Sequence, residues 1–220
     1  MTFIIAIQLN DSIIVTADNK NIVLNETGEI QFDFEKSQKI QSWDNGIITG
    51  TGESNVINRA VELLKKLTHS DINKLPQCLE ISRQIRELEI GTNYFQVENT
   101  KLLCSRYSEY SAQLYTIQRF ETSQPYELIP LKPMEITVWL FHPNIEAISK
   151  DLQKLYTDLK DYAAFNSKAN WINYYIKRLV PIYQKQSQQD PMMSQSFDLF
   201  FQTKDEYVFG HIPQIKKIPK

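Results

Sequence analysis

Thr2, Asp18 and Lys20 offer a hydroxyl, a carboxylate and an ammonium within the opening stretch MTFIIAIQLNDSIIVTADNK. Removal of Met1 would leave Thr2 with a free α-amine next to its own hydroxyl. An α-amine titrates near ~8, so much of it is available as a base around neutral pH. It could take the proton from the Thr2 hydroxyl, the N-terminal form of an activated nucleophile. A nearby cation lowers the amine's proton affinity further, and a carboxylate holds that cation in place. The same three residues also make an ordinary first strand closed by a salt bridge.

Two strands must position these groups. Thr2 to Leu9 and Ser12 to Ala17 are apolar and β-branched, with the turn signal Asn10-Asp11 between them. Every odd position is apolar: Phe3, Ile5, Ile7 and Leu9, then Ile13, Val15 and Ala17. Strand side chains alternate faces, so one buried odd face predicts that the odd residues pair with each other. That register needs a three-residue loop, Asn10-Asp11-Ser12, or a bulge. It sets Thr2 opposite Lys20, with Asp18 one diagonal step away.

The rest of the composition narrows the chemistry. Hydrophobic residues at 42% and charged ones at 23% are ordinary for a globular chain, and 220 residues make one large domain or two small ones. We expect a single domain over 1–220. A net charge of -2 gives no electrostatic reason to bind nucleic acid or an anionic membrane. Cys78 and Cys104 lack metal-ligand spacing, and His69, His142 and His211 lie far apart, so neither a metal nor another cofactor is expected. The N-terminus has no basic region before its apolar run, and no segment approaches a membrane-spanning length. These features predict a cytoplasmic protein.

Further along, strands and helices come in clusters. Asn21 to Asp33 reads as a loop or second hairpin, and Ser37 to Trp43 and Gly46 to Thr49 as short strands. Two glycines in Thr49-Gly50-Thr51-Gly52-Glu53 suit a tight strand-to-helix turn, without the lysine of a phosphate-binding loop. Apolar stripes predict helices over 54–67, 72–90, 145–162 and 170–188, the third capped by Asn144 and the last kinked at Pro181. Between the pairs, Lys101 to Tyr107, Gln113 to Phe120 and Glu135 to Phe141 read as strands. Glu121 to Pro133, with three prolines, reads as a loop. Ser196 to Gln202 and Tyr207 to Ile212 close the chain as strands, before a loose tail. Clustered strands alternating with clustered helices favour an α+β layered fold, a four-layer αββα sandwich of two antiparallel sheets between two helical layers.

This order and several motifs resemble the proteasome β-subunits of the N-terminal nucleophile (Ntn) hydrolase superfamily. The resemblance rests on the strand led by Thr2, and on Thr16-Ala17-Asp18-Asn19-Lys20, where the family has Ala-Asp-x-Arg. It extends to Gln38-Lys39-Ile40, to Ile48-Thr49-Gly50-Thr51-Gly52, and to the stretch from Asp190 to Phe200. It implies Thr2 as nucleophile and its amine as base, with Asp18 and Lys39 tuning that amine. The Gly50 N–H would be the oxyanion donor, and Lys20 and Asp190 would support the site. Thr2 directly after Met1 is closest in style to bacterial two-component peptidases and Anbu-type homologues. The resemblance also implies a peptide or protein substrate, a homo-oligomer and an ATP-dependent unfoldase as partner.

Several positions depart from the family. Lys20 stands in place of Arg and lacks its fork of donors. Phe141-His142-Pro143-Asn144 replaces Gly-Ser-Gly before the third helix, and Met193 and Ser194 replace Ser-Gly in the late turn. Two functions follow. One is an N-terminal threonine peptidase or amidase. The other is a catalytically inactive proteasome-like subunit acting as scaffold or binding protein.

Overall fold

The computed structural model describes residues 2–24, 29–33, 38–43, 46–92, 94–107, 111–140 and 144–214. Met1, the 141–143 part of the missing-serine segment and the tail from 215 lie outside them.

The opening hairpin forms, with β1 at Ile4–Gln8 and β2 at Ser12–Asp18. Its register differs from the expected one. Ile4 pairs with Ala17, Ile5 with Thr16 and Ala6 with Val15, so odd residues face even ones. The cause is burial on both faces. Ile5, Ile7 and Ile14 enter one core, while Ile4, Ala6, Ile13 and Val15 enter another. Alternation fixes register only where one face is wet. The observed register sets Phe3 opposite Asp18, and Thr2 next to Asn19 rather than Lys20.

A short hairpin follows, β3 at Asn21–Leu24 and β4 at Ile30–Asp33. The second sheet starts with β5 at Gln41–Trp43 and β6 at Gly46–Thr51. Its remaining strands are β7 at Lys101–Tyr107, β8 at Ala112–Gln118 and β9 at Glu127–Pro130. The strand order is β5-β6-β7-β8-β9. β9 lies inside the stretch read as a loop. It is an edge strand, where proline's missing N–H breaks no ladder.

The first sheet is completed by β10 at Glu135–Trp139, β11 at Phe197–Thr203 and β12 at Tyr207–Ile212. Its order is β10-β1-β2-β11-β12. Every strand pair in both sheets is antiparallel.

Helix α1 spans Ser54–Leu67, and Glu53 caps it by accepting the Val56 N–H. Asp71 caps a short 3₁₀ turn, after which α2 runs from Leu75 to Ile90 with proline in its first turn. A single turn, α3, occupies Phe95–Glu98. The expected helix over 145–162 is shorter: α4 covers Ser149–Thr157, and a separate 3₁₀ turn covers Tyr162–Ala164. Asn144 accepts the Glu146 N–H in a turn instead of capping the helix. Leu152, Leu159 and Tyr162 still pack on the core, so the apolar repeat outlives the helix. Helix α5 spans Lys168–Gln189, is capped by Ser167, and continues through Pro181.

Three apolar cores separate four layers. One joins the first sheet to α4 and α5 through Trp171, Tyr175, Leu179 and Phe201. Another joins the second sheet to α1 and α2 through Val56, Leu64, Leu79 and Leu102. The third lies between the sheets, where Ile4, Val15 and Phe200 meet Ile47, Leu103 and Leu114. The result is the αββα sandwich expected from the order of elements. No helix among the described residues is long and apolar enough to cross a membrane.

Candidate active site

The start of β1, the end of β2, the segment before β5 and the end of β6 all lie at one end of the sandwich. The β1–β2 ladder brings Asp18 to Phe3. The Asp18 N–H donates to the Phe3 carbonyl at 3.1 Å. In return the Phe3 N–H donates to the Asp18 carboxylate, Oδ1, at 2.8 Å. The carboxylate thus occupies the place of a strand carbonyl beside the Thr2–Phe3 peptide, and Thr2 itself is buried.

Asp18 has no solvent exposure and takes four donors. Besides Phe3, Oδ1 accepts the Lys39 ammonium at 2.9 Å. Oδ2 accepts the Lys20 N–H at 3.0 Å and the Ser194 N–H at 3.2 Å. A buried carboxylate needs such partners, because an uncompensated charge in the interior costs several kcal/mol, an order-of-magnitude figure.

Lys39 reaches this site from just before β5. Burial lowers its proton affinity below the ordinary lysine value, and the Asp18 charge opposes that shift without cancelling it. The β5–β6 register pairs Gln41 with Ile48; continued two steps outward, it sets Lys39 opposite Gly50. Gly50 pairs with Leu102 of β7 on its other side. A Cβ at Gly50 would lie 2.7 Å from the Lys101 carbonyl and 2.7 Å from Leu102 Cδ2, so close strand packing already requires glycine there. Gly52 is more constrained, with φ +119° and a hypothetical Cβ 2.4 Å from Thr100 Cα. It lets the chain turn from β6 into α1.

The other expected residues sit at one remove. The Lys20 ammonium donates to the Pro191 carbonyl, tying the end of β2 to the late turn. Asp190 Oδ1 accepts the Met192 N–H at 2.8 Å, and its own N–H donates to the Gln186 carbonyl at 2.8 Å. It shapes the turn that delivers Ser194.

Two residues gain importance that the sequence did not assign. Ser194 donates its backbone N–H to Asp18, and its hydroxyl accepts the Asn19 N–H at 2.9 Å while donating to the Ser196 carbonyl at 2.7 Å. Met193, beside it, is buried in the helix-side core. The Tyr183 hydroxyl of α5 lies 2.9 Å from Thr16 Oγ1 and 3.3 Å from the Phe3 carbonyl. Full burial pushes its phenol well above the usual tyrosine range, so it stays neutral and serves as a fixed hydrogen-bonding group. The apolar stripe of α5 marks Tyr183 as core; only tertiary structure shows its hydroxyl against β1. Among the described residues no cluster of side chains could hold a metal ion.

Two antiparallel five-stranded sheets packed between two helical layers make a proteasome-like fold. No family model matches the sequence, and no curated protein matches it. Anbu proteins are among the solved structures it resembles. The helical assembly of the Anbu complex from Pseudomonas aeruginosa superposes with a TM-score of 0.69 at 9% identity, over 97% of this chain and 88% of that one. Anbu, the ancestral beta-subunit, from Yersinia bercovieri gives 0.64 at 8%, over 94% and 86%. Anbu from Hyphomicrobium sp. strain MC1 gives 0.62 at 10%, over 94% and 86%. At such identities the likeness is one of fold.

Proposed function

We propose that this chain is a proteasome-like Ntn hydrolase subunit, a threonine peptidase or amidase that acts once Met1 is removed. The observation that carries the reading is the buried Asp18 carboxylate, which holds the Lys39 ammonium at 2.9 Å and the amide beside Thr2 at 2.8 Å.

The chemistry runs as follows. The freed Thr2 amine accepts the proton of the Thr2 hydroxyl as Oγ bonds to the substrate carbonyl carbon. Lys39, paired to Asp18, supplies positive charge that keeps the amine unprotonated beforehand. The Gly50 N–H receives the developing oxyanion. The amine then gives its proton to the departing amide nitrogen, leaving an ester on Thr2. Water, deprotonated by the same amine, attacks that ester, and the amine returns the proton to Thr2 Oγ as the acyl C–O bond breaks and the acid product leaves. Lys20 and Asp190 hold the turn that closes over Asp18.

Assembly into a homo-oligomer is part of this reading. The Pseudomonas aeruginosa Anbu complex is a helical assembly. Here Leu67 and Leu88, at opposite ends of the α1–α2 pair, are 71% and 87% exposed and offer separate apolar contacts to a neighbouring copy. An ATP-dependent unfoldase would be the natural supplier of peptide chains to such an assembly.

One observation favours the scaffold reading instead: the Ser194 hydroxyl is committed to the Ser196 carbonyl and the Asn19 N–H. Hydrolysis of a library of fluorogenic peptides separates the two. Protein with Thr2 exposed should cleave some of them. Protein retaining Met1 should not, and Lys39→Ala should be slowed on the order of a hundredfold or more. Equal, background-level signal from all three would leave the scaffold reading standing.

A further inference from the structure

A second charged feature lies at the same end of the sandwich. A cavity of about 250 Å³ opens beside the β6–α1 turn, lined by Thr51, Gly52, Phe95, Lys101, Arg119 and Leu140, among others. Thr51 directly follows Gly50 and pairs with Lys101 across the β6–β7 ladder. The Lys101 ammonium sits 4.7 Å from the ring centroid of Trp139, and Trp139 pairs with Ile4, two residues from Thr2. Strand neighbours on both sides therefore tie this cavity to the proposed nucleophile.

The charges within it are unequally placed. Lys101 is half-buried, and no carboxylate among the described residues is in ion-pair contact with it. Its proton affinity is lowered by burial alone. Arg119 is pinned by bonds to the Thr122 and Glu98 carbonyls at 2.7 and 2.9 Å, and its Nε is buried with no protein partner. The two acids on the wall are Glu98, half-buried, and Glu121, exposed at the rim. Neither forms an ion pair among the described residues. A half-buried ammonium held against an aromatic face with no counter-ion is a site waiting for an anion.

We infer that this cavity binds the acidic side chain of a peptide lying across the site, with Lys101 as the residue that selects it. As a statement about substrate the inference rests on the proposed peptidase reading; as a statement about binding it stands without it. Lys101 acts here through contact with the peptide's carboxylate and has no part in the bond-breaking steps.

The test uses the full-length chain as Thr2→Ala, so that binding is read without turnover. Fluorescein-labelled hexapeptides carrying glutamate, glutamine or lysine at otherwise identical positions are titrated by anisotropy. A charged hydrogen bond of this kind corresponds to roughly tenfold to a hundredfold in affinity. The glutamate peptide should bind at least about tenfold more tightly than the glutamine one, and the lysine peptide least. Lys101→Met should bring glutamate-peptide affinity down to that of the glutamine peptide, and Lys101→Glu should reverse the preference toward lysine. Circular dichroism confirms that the variants fold; should Lys101→Met fail that control, Lys101→Arg, which keeps the charge, must keep the preference. Equal binding of the three peptides, or a preference that survives Lys101→Met, overturns the inference. A Lys101-dependent preference in protein that cleaves nothing when Thr2 is exposed supports the site and refutes the peptidase reading. Cleavage with no preference for acidic peptides does the reverse.

Discussion

Removing the Asp18 carboxylate should cost far more than removing its partner Lys39, and the two losses should not add. In Asp18→Ala the Lys39 ammonium, with a side chain only 8% exposed, loses its counter-ion inside the protein. Breaking a buried pair from one side costs about 3–5 kcal/mol. The Phe3, Lys20 and Ser194 amides lose their acceptor as well, at about 1 kcal/mol each where water does not replace it. The total comes to about 3–8 kcal/mol, a large part of an ordinary domain's roughly 5–15 kcal/mol. Lys39→Met leaves Asp18 three amide donors and should cost only about 1–3 kcal/mol. In the Asp18→Ala background the same change removes a buried charge that has lost its nearest carboxylate, so the double variant should be more stable than Asp18→Ala alone. Urea unfolding of the four proteins at pH 7 gives the cycle, with a coupling of about 2–3 kcal/mol expected. Additive losses to within about 0.5 kcal/mol would refute the reasoning, because the ammonium and carboxylate would then not share one buried site.

Two further outcomes follow from the same geometry. Because the folded-state pKa of Lys39 is depressed by burial, the unfolded chain holds this proton up to about pH 10.4 while the folded chain releases it earlier. The cost of keeping Lys39 charged is therefore fully present at lower pH and fades as pH rises through that window. Wild-type stability relative to Lys39→Met should increase from pH 8 toward about 10.4 in paired urea titrations, and a constant or falling difference would contradict the burial of Lys39. Gly52→Ala places a Cβ 2.4 Å from Thr100 Cα at a φ of +119°. It should lower stability by at least about 2 kcal/mol in the same assay, and a neutral outcome would exclude this turn geometry.

How much of this was legible follows from how each element is buried. Helix α1 stands where its stripe places it, because it keeps one apolar face; strands β7 and β12 pack on apolar cores with both faces and stand out by the bounds of their short runs. The hairpin register was not legible, since Ile4, Ala6 and Ile14 are as buried as the odd-numbered set. Period-two arguments lose their grip in a strand sealed on both faces. The prolines of 121–133 hid β9, and the stripe over 145–162 concealed the break after Thr157. In the candidate site, Thr2 and Asp18 stand out by residue type and Lys39 by the resemblance alone. Ser194 does not, because its contribution to Asp18 comes from a backbone N–H, which every residue but proline has.

The central claim is that Thr2, once freed of Met1, is a nucleophile. Protein prepared with Thr2 exposed should be incubated with a panel of peptide epoxyketones, which engage both hydroxyl and α-amine, and weighed intact before digestion and mapping. The account predicts one inhibitor added per chain, located on the peptide that begins at Thr2. It predicts no adduct on Thr2→Ala or on protein that keeps Met1. An exposed Thr2 that stays unmodified across the whole panel, in protein that is folded and free of Met1, would contradict the account and leave the scaffold reading in its place.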